Sequence, residues 1–112
     1  MRGMGCRILT HGAGEAVLRE KVIDAKGNVM EAAIWSVPRS RSNPTGVRYR
    51  LAFIRRGEQV PAVLYDNHHP KGHHCHVEGI EEPYAFVDID RLLADFTDDV
   101  RRILGDFTWP KR

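Results

Sequence analysis

Histidines crowd one stretch of this sequence. Five of the six histidines lie within residues 65–76, which read YDNHHPKGHHCH. Imidazole titrates close to neutral pH and also ligates metals, so the stretch could transfer protons or hold an ion. A purification tag is not expected, because the histidines are internal and are interrupted by Pro70, Gly72 and Cys75. A third interpretation is a polar loop whose histidines bond to backbone and water, without chemistry.

Proton transfer would centre on His74 and His76. The two residues are separated by one position, so their side chains project from the same side of an extended backbone. One neutral imidazole could take the proton of a ribose 2′-hydroxyl, and one imidazolium could protonate the leaving 5′-oxygen. Cations would steady the charged phosphorane, and the candidates are Lys71, Arg48 and Arg50. These residue types are sufficient to cleave RNA without a metal.

A metal site is the competing chemistry for the same histidines. A His-x-His pair can chelate a divalent metal, and Asp66 or Glu78 could add a carboxylate ligand. The sequence contains no Cys-x-x-Cys pair to complete a structural zinc site. From the residues alone, acid–base chemistry, metal binding and a polar loop all remain open.

Length and composition are those of an ordinary globular protein. The chain has 112 residues, of which 42% are hydrophobic and 29% are charged, so extensive disorder is not expected. A net charge of +2 is too small to establish a nucleic-acid partner. We expect a loosely ordered segment 1–14, one domain over 15–107 and a tail over 108–112. Without an apolar leader or span, we expect a cytoplasmic protein with no membrane contact and with Cys6 and Cys75 reduced.

Hydrophobic periodicity predicts the elements that must position these residues. Alternation with period two is clearest over 47–54, where apolar side chains point one way and Arg48 and Arg50 the other. We also predict strands over 16–24, 29–37 and 59–66, with Pro61 at an edge or a bulge, and a short extended segment over 81–88. The histidine stretch is predicted to connect the fourth strand with that segment.

The last third of the chain changes to a helical period. Apolar residues recur at offsets of three, four and seven from Ile89 onwards, which predicts an amphipathic helix. Asp88 is the expected N-cap and Gly105 the expected stop. The other helix face should be solvated, with its aspartates Asp90, Asp95, Asp98 and Asp99. The predicted fold is α+β: an antiparallel β-sheet of about four to five strands, covered on one face by this C-terminal helix.

Polar residues at fixed spacings give the chain a family resemblance. The spacing runs through Y-D-N (65–67), K-G-x-H-x-H (71–76) and E-E-P-Y-x-F (81–86), followed by L-L-x-D-F (92–96). This pattern resembles the TumE-type toxins of bacterial toxin–antitoxin systems, and the similarity extends over roughly residues 15–104. The resemblance implies a toxin whose partner is a cognate DNA-binding antitoxin. It carries over Asp66, Asn67, Lys71, Gly72, His74, His76, Glu82, Pro83 and Tyr84, whereas His68, His69 and His73 do not match it.

Three functions follow from these residues. The first, which we favour, is a small metal-independent ribonuclease without a cofactor, with His74, His76, Lys71 and Asp66 as the catalytic residues. Asp66 would set the tautomer of a histidine through its Nδ1–H. The second is a metal-dependent nuclease or phosphoesterase, in which a divalent metal is held by His74, His76, Asp66 and Glu82. The third is a non-enzymatic binding protein.

Other residues are expected to contact the RNA substrate or a protein partner. The predicted substrate-binding residues are Arg48, Arg50, Asn67, Gly72 and Tyr84. The strand over 29–37 is apolar on both of its faces, which is unusual for a half-exposed strand. We take this pattern as an indication of a homodimer, or of an antitoxin segment that docks there.

Overall fold

The fold is one antiparallel sheet with a helix against it. The computed structural model describes residues 15–68 and 70–110, so the predicted N-terminal segment 1–14, Cys6 and His69 lie outside the described residues. Six strands pair in chain order, each with the next. Their bounds are β1 Glu15–Ile23, β2 Val29–Ser36, β3 Val47–Ile54, β4 Val63–Asp66, β5 His74–Val77 and β6 Ile80–Pro83, and helix α1 spans Ile89–Leu104. This confirms the α+β prediction, with somewhat more strands than expected.

The period-two alternation of the sequence sorts the side chains onto two faces of the sheet. Helix α1 packs against the covered face, and the residues that fill the core there are Met30, Ala32, Ile34, Tyr49, Leu51, Phe53, Ala62, Val63, Tyr65, Leu92, Phe96 and Val100. We call the opposite side the open face. It carries Arg48 and Arg50 of β3, which alternate with the buried Tyr49 and Leu51. The predicted orientation of β3 is therefore confirmed.

The fourth strand is shorter than its predicted range of 59–66. It begins at Val63, after Pro61, which has no N–H to donate to a ladder. The backbone N–H of Ala62 still donates to the carbonyl of Phe53 at 2.8 Å, so pairing with β3 starts directly after the proline. Strand β4 then ends at Asp66, at the start of the histidine stretch.

A hairpin takes up the end of the predicted loop, as β5, and the first part of the extended segment predicted over 81–88, as β6. Strands β5 and β6 pair in the register His76↔Glu81 and Val77↔Ile80. Between them lie only Glu78 and Gly79, whose φ angles are +51° and +85°, the signature of a type I′ turn. The Arg55 guanidinium clamps the Glu78 carboxylate at 2.5 Å. The last three residues of the histidine stretch are thus part of an interior strand, next to the edge of the sheet.

Helix α1 begins and ends where the sequence predicts. The Asp88 carboxylate accepts from the N–H of Arg91 at 2.8 Å, and Gly105 closes the helix with its N–H on the Arg101 carbonyl. Two of the aspartates predicted to be solvated are only partly exposed and bond to the sheet. Asp95 accepts from the Tyr84 hydroxyl at 2.6 Å, and Asp99 from the Tyr65 hydroxyl at 2.5 Å. They border the apolar stripe, so they anchor the helix to the sheet.

Candidate active site

Antiparallel pairing places the two predicted histidines in adjacent rows across the open face. One row runs through Arg50, Asp66 and His74 of β3, β4 and β5. The next row joins His76 of β5 to Glu81 of β6. The centroids of the two imidazole rings are 5.3 Å apart, with the rings tilted by 70°. The prediction that the His-x-His pair shares one side of an extended strand is confirmed.

His74 is held by an oxygen atom at each ring nitrogen. Nδ1 lies 2.8 Å from the Gly72 carbonyl, and Nε2 lies 3.1 Å from Oδ1 of Asp66. A neutral imidazole donates from one nitrogen only, whereas the imidazolium donates from both. The Gly72 carbonyl and the Asp66 carboxylate therefore fix the orientation of this ring, which is only 7% exposed. Asp66 faces Nε2 and not Nδ1, which is occupied by the backbone.

His76 is the more accessible member of the pair. Its Nε2 lies 3.7 Å from Oε1 of Glu81, which is too long for a hydrogen bond. The same carboxylate accepts from Nζ of Lys71 at 2.7 and 2.9 Å. Lys71 holds the pKa of Glu81 below its usual range, mainly through this hydrogen bond. The structure thus joins His74, His76, Lys71 and Asp66 in one cluster and adds Glu81.

Glu81 is the member of this cluster that sequence reasoning missed. The metal alternative named its neighbour Glu82, but Glu82 pairs with Cys75, whose side chain packs against the core on the covered face. Only the register of the β5–β6 hairpin distinguishes the two glutamates. A signal was present in Glu78-Gly79, a two-residue turn that places Glu81 opposite His76.

A group of possible metal ligands overlaps this cluster. His74, His76 and Glu81 each offer one ligand atom, and these atoms lie within 4.8 Å of one another. Two imidazoles and one carboxylate form a donor set that suits a catalytic transition metal. The set would draw His74 Nε2 or Nδ1 away from its present oxygen partner, so proton transfer and metal binding compete for the same atoms.

The predicted substrate-binding residues divide between the two faces. Arg48 and Arg50 lie on the open face, and Arg50 contacts Glu31 at 3.4 Å. Asn67 instead joins strands, because its amide oxygen accepts from the Tyr49 N–H and its amide nitrogen donates to a β3 carbonyl. Gly72 has a φ of +75° and presents its carbonyl to His74.

Tyr84 and His73 lie behind the site. The Tyr84 ring packs edge-on against Tyr65, beneath helix α1. His73 stacks on Phe86 at 5.1 Å, and its Nδ1 lies 2.9 Å from the Tyr49 hydroxyl. Burial lowers the pKa of His73, so its neutral form is favoured. His73 is a packing residue, in agreement with its absence from the family pattern.

Comparison with known proteins identifies the family. The model of a family described as Toxin TumE matches residues 8–104, which is most of the chain and includes every member of the cluster. The chain belongs to the TumE toxin family. It is accordingly the toxin of a toxin–antitoxin system, a class that implies an antitoxin partner. The comparisons with curated proteins and with solved structures found no match. No helix in the described part of this TumE toxin is long and apolar enough to cross a membrane.

Proposed function

We propose that this TumE toxin is a small ribonuclease that cleaves RNA without a metal. One observation carries the proposal: His74 and His76 lie side by side at 5.3 Å, with a carboxylate on one ring and an ammonium group nearby. Cleavage by a 2′-hydroxyl needs one group that accepts a proton and another that donates one, and two imidazoles in different environments can fill these roles.

His76 is the proton acceptor in this mechanism. Its ring is partly exposed and its Nε2 has no close hydrogen-bond donor or acceptor among the described residues. It removes the 2′-hydroxyl proton as the 2′-oxygen attacks phosphorus. The bond from phosphorus to the 5′-oxygen breaks, which leaves a 2′,3′-cyclic phosphate and a 5′-hydroxyl.

His74 is the proton donor. As an imidazolium it carries a proton on Nε2, shared with Asp66 at 3.1 Å, and this proton passes to the leaving 5′-oxygen. The Gly72 carbonyl holds the other nitrogen, so the ring keeps its orientation while it reacts. Lys71 is 57% exposed and can exchange the Glu81 carboxylate for a phosphate oxygen, which stabilises the phosphorane.

The test is cleavage of a defined RNA by purified protein in the presence of a strong chelator. We expect products with a 2′,3′-cyclic phosphate, and a loss of about 10²- to 10⁴-fold in rate for His76→Ala and a comparable loss for His74→Ala. His68→Gln is the matched control, since His68 is an exposed histidine of the same stretch whose ring is not in the cluster. Full cleavage by the His74→Ala, His76→Ala double variant would refute the proposal.

A metal-dependent nuclease is the second candidate, favoured by the convergence of His74, His76 and Glu81. It predicts that cleavage stops in chelator and returns with one divalent transition metal. Glu81→Gln then lowers metal affinity, whereas Glu82→Gln, on the covered face, leaves it unchanged. Growth arrest in cells without cleavage of any RNA, with or without metal, would instead support a toxin that acts by binding.

A further inference from the structure

The open face continues beyond the histidines onto β1, β2 and β3, where it has a distinct chemical character. Trp35 of β2 lies opposite Arg48 of β3 and Ala16 of β1. The guanidinium carbon of Arg19 lies 5.7 Å from the centroid of the Trp35 ring, within the range of a cation–π contact. A partly exposed indole with arginines on both sides and small alanines beside it is therefore presented on this face.

We propose that this surface, formed by Arg19, Trp35, Arg48 and Arg50, is the binding track for single-stranded RNA, with one base stacked on Trp35. The proposal rests on the proposed function and extends it from a reaction to a substrate class. The indole indicates that the RNA is single-stranded, because only an unpaired base can leave its stack to lie on an aromatic ring. The base would take the position over Trp35 that Arg19 occupies in the free protein.

Sheet geometry connects this track to the histidines. Neighbouring strands lie about 4.8 Å apart, so Arg50 of β3 is roughly 10 Å from His74 across the sheet. Trp35 of β2 lies three strands from His74 and two residues further along, so it is roughly 16 Å away. Arg50 shares the row of Asp66 and His74 and so leads directly from the cluster. A strand of RNA whose phosphate lies at the histidines would pass Arg50 before its next bases reach Trp35.

Charge supports a polyanion as the occupant. Arg48 is exposed, and no salt bridge engages it within residues 15–68 and 70–110. The loop 38–46 that joins β2 to β3 at this end of the sheet adds Arg39 and Arg41, both exposed. Arg50 has only a weak partner, because its guanidinium lies 3.4 Å from the Glu31 carboxylate and both side chains are well exposed. Each of these side chains is available to a phosphate.

The experiment measures binding separately from cleavage. The probe is a fluorescent single-stranded RNA with 2′-O-methyl riboses, which has no 2′-hydroxyl to attack phosphorus. We expect Trp35→Ala to weaken binding about 5- to 100-fold and Trp35→Phe to retain part of the affinity. Arg48→Ala should reduce the slope of log affinity against log salt by about 0.7. Unfolding in urea verifies that each variant is folded.

The two tryptophans provide an internal control. Trp109 packs on Phe96 and Phe107, on the covered side of the sheet. In Trp109→Phe the remaining indole is Trp35, and its fluorescence should be quenched when the RNA binds. In Trp35→Phe, the fluorescence of Trp109 should not change.

Four results would overturn the proposed track. Two of them are wild-type RNA affinity in Trp35→Ala and equal competition by double-stranded RNA for the probe. The other two are absence of RNA binding and quenching of Trp35 fluorescence by self-association without RNA. A failure of the ribonuclease proposal would give a different result. RNA would still bind, and Trp35→Ala would still weaken the binding, but the unmodified strand would not be cut. Cleavage that requires His76 but is indifferent to Trp35 would remove the track alone.

Discussion

The pair of Asp66 and His74 offers a quantitative test of the site, because a second ion pair beside it serves as a control. The side chains of Asp66 and His74 are only 16% and 8% exposed, with Oδ1 and Nε2 3.1 Å apart. Those of Lys71 and Glu81 are 57% and 39% exposed, although their atoms are closer, at 2.7 Å. Solvent screening, not distance, should decide which pair contributes more to stability.

The expected energies differ severalfold. A hydrogen bond to a charged group contributes about 1.5–3 kcal/mol when it is shielded from water, whereas exposed pairs contribute about 0–1 kcal/mol. Asp66→Ala also leaves the buried Nε2 of His74 without an acceptor, so the variant should lose about 2 kcal/mol of the free energy of unfolding. At about 4–8 °C per kcal/mol for a small domain, Tm should fall by roughly 10 °C.

The assay is a double-mutant cycle by urea unfolding near neutral pH. The cycle combines Asp66→Ala with His74→Ala, and a parallel cycle combines Lys71→Ala with Glu81→Ala. We expect a coupling energy above about 1.5 kcal/mol in the first cycle and below about 1 kcal/mol in the second. A coupling of less than roughly 0.5 kcal/mol between Asp66 and His74, the usual limit of additivity, would show that the two side chains do not act as a pair.

Two further predictions concern residues that support the site. Burial lowers the pKa of His73, so the unfolded chain takes up a proton at higher pH than the folded one, and stability should fall as the pH drops below about 6.5. His73→Phe keeps the stack on Phe86, and unfolding free energies measured from pH 7 to pH 5 should decline less steeply than in the wild type. Gly79→Ala should cost about 1–2 kcal/mol in the same assay, because φ of +85° is left-handed.

Each of these two predictions, for His73 and for Gly79, has a result that would contradict it. A pH dependence of stability identical in His73→Phe and wild type would mean that His73 does not titrate differently on folding. For the turn, Ala85→Gly, at an exposed site outside helix and strands, is the comparison for a mild backbone change. Unchanged stability of Gly79→Ala would argue against the type I′ turn and hence against the register that brings Glu81 to His76.

The elements with strong periodicity could be predicted from the sequence. The alternation over 47–54 correctly placed Tyr49 inside and Arg48 outside. Helix α1 was predicted with both of its ends, because Asp88 and Gly105 have the chemistry that caps require. In both cases the signal is local, so it survives without knowledge of the rest of the fold.

The β5–β6 hairpin could not be predicted in the same way. Its strands have four residues each, and β6 is exposed throughout, so neither shows a hydrophobic period. Only Gly79 of the turn is a residue type that favours a positive φ, whereas Glu78 also adopts one, so the turn signal in the sequence is weak. The prediction that all the aspartates of α1 are solvated failed for a related reason. Periodicity alone cannot reveal that the hydroxyls of Tyr84 and Tyr65 reach Asp95 and Asp99.

Alternate residues of strand β5 lie on opposite faces of the sheet and have different roles. His74 and His76 look out to the open face, while Cys75 and Val77 pack against the core. An extra residue inside β5 would turn the strand over. Imidazoles would then enter the apolar interior, and the Cys75 thiol would lie on the open face in their place. In this four-residue strand, a single codon inserted or deleted should abolish folding and toxicity together.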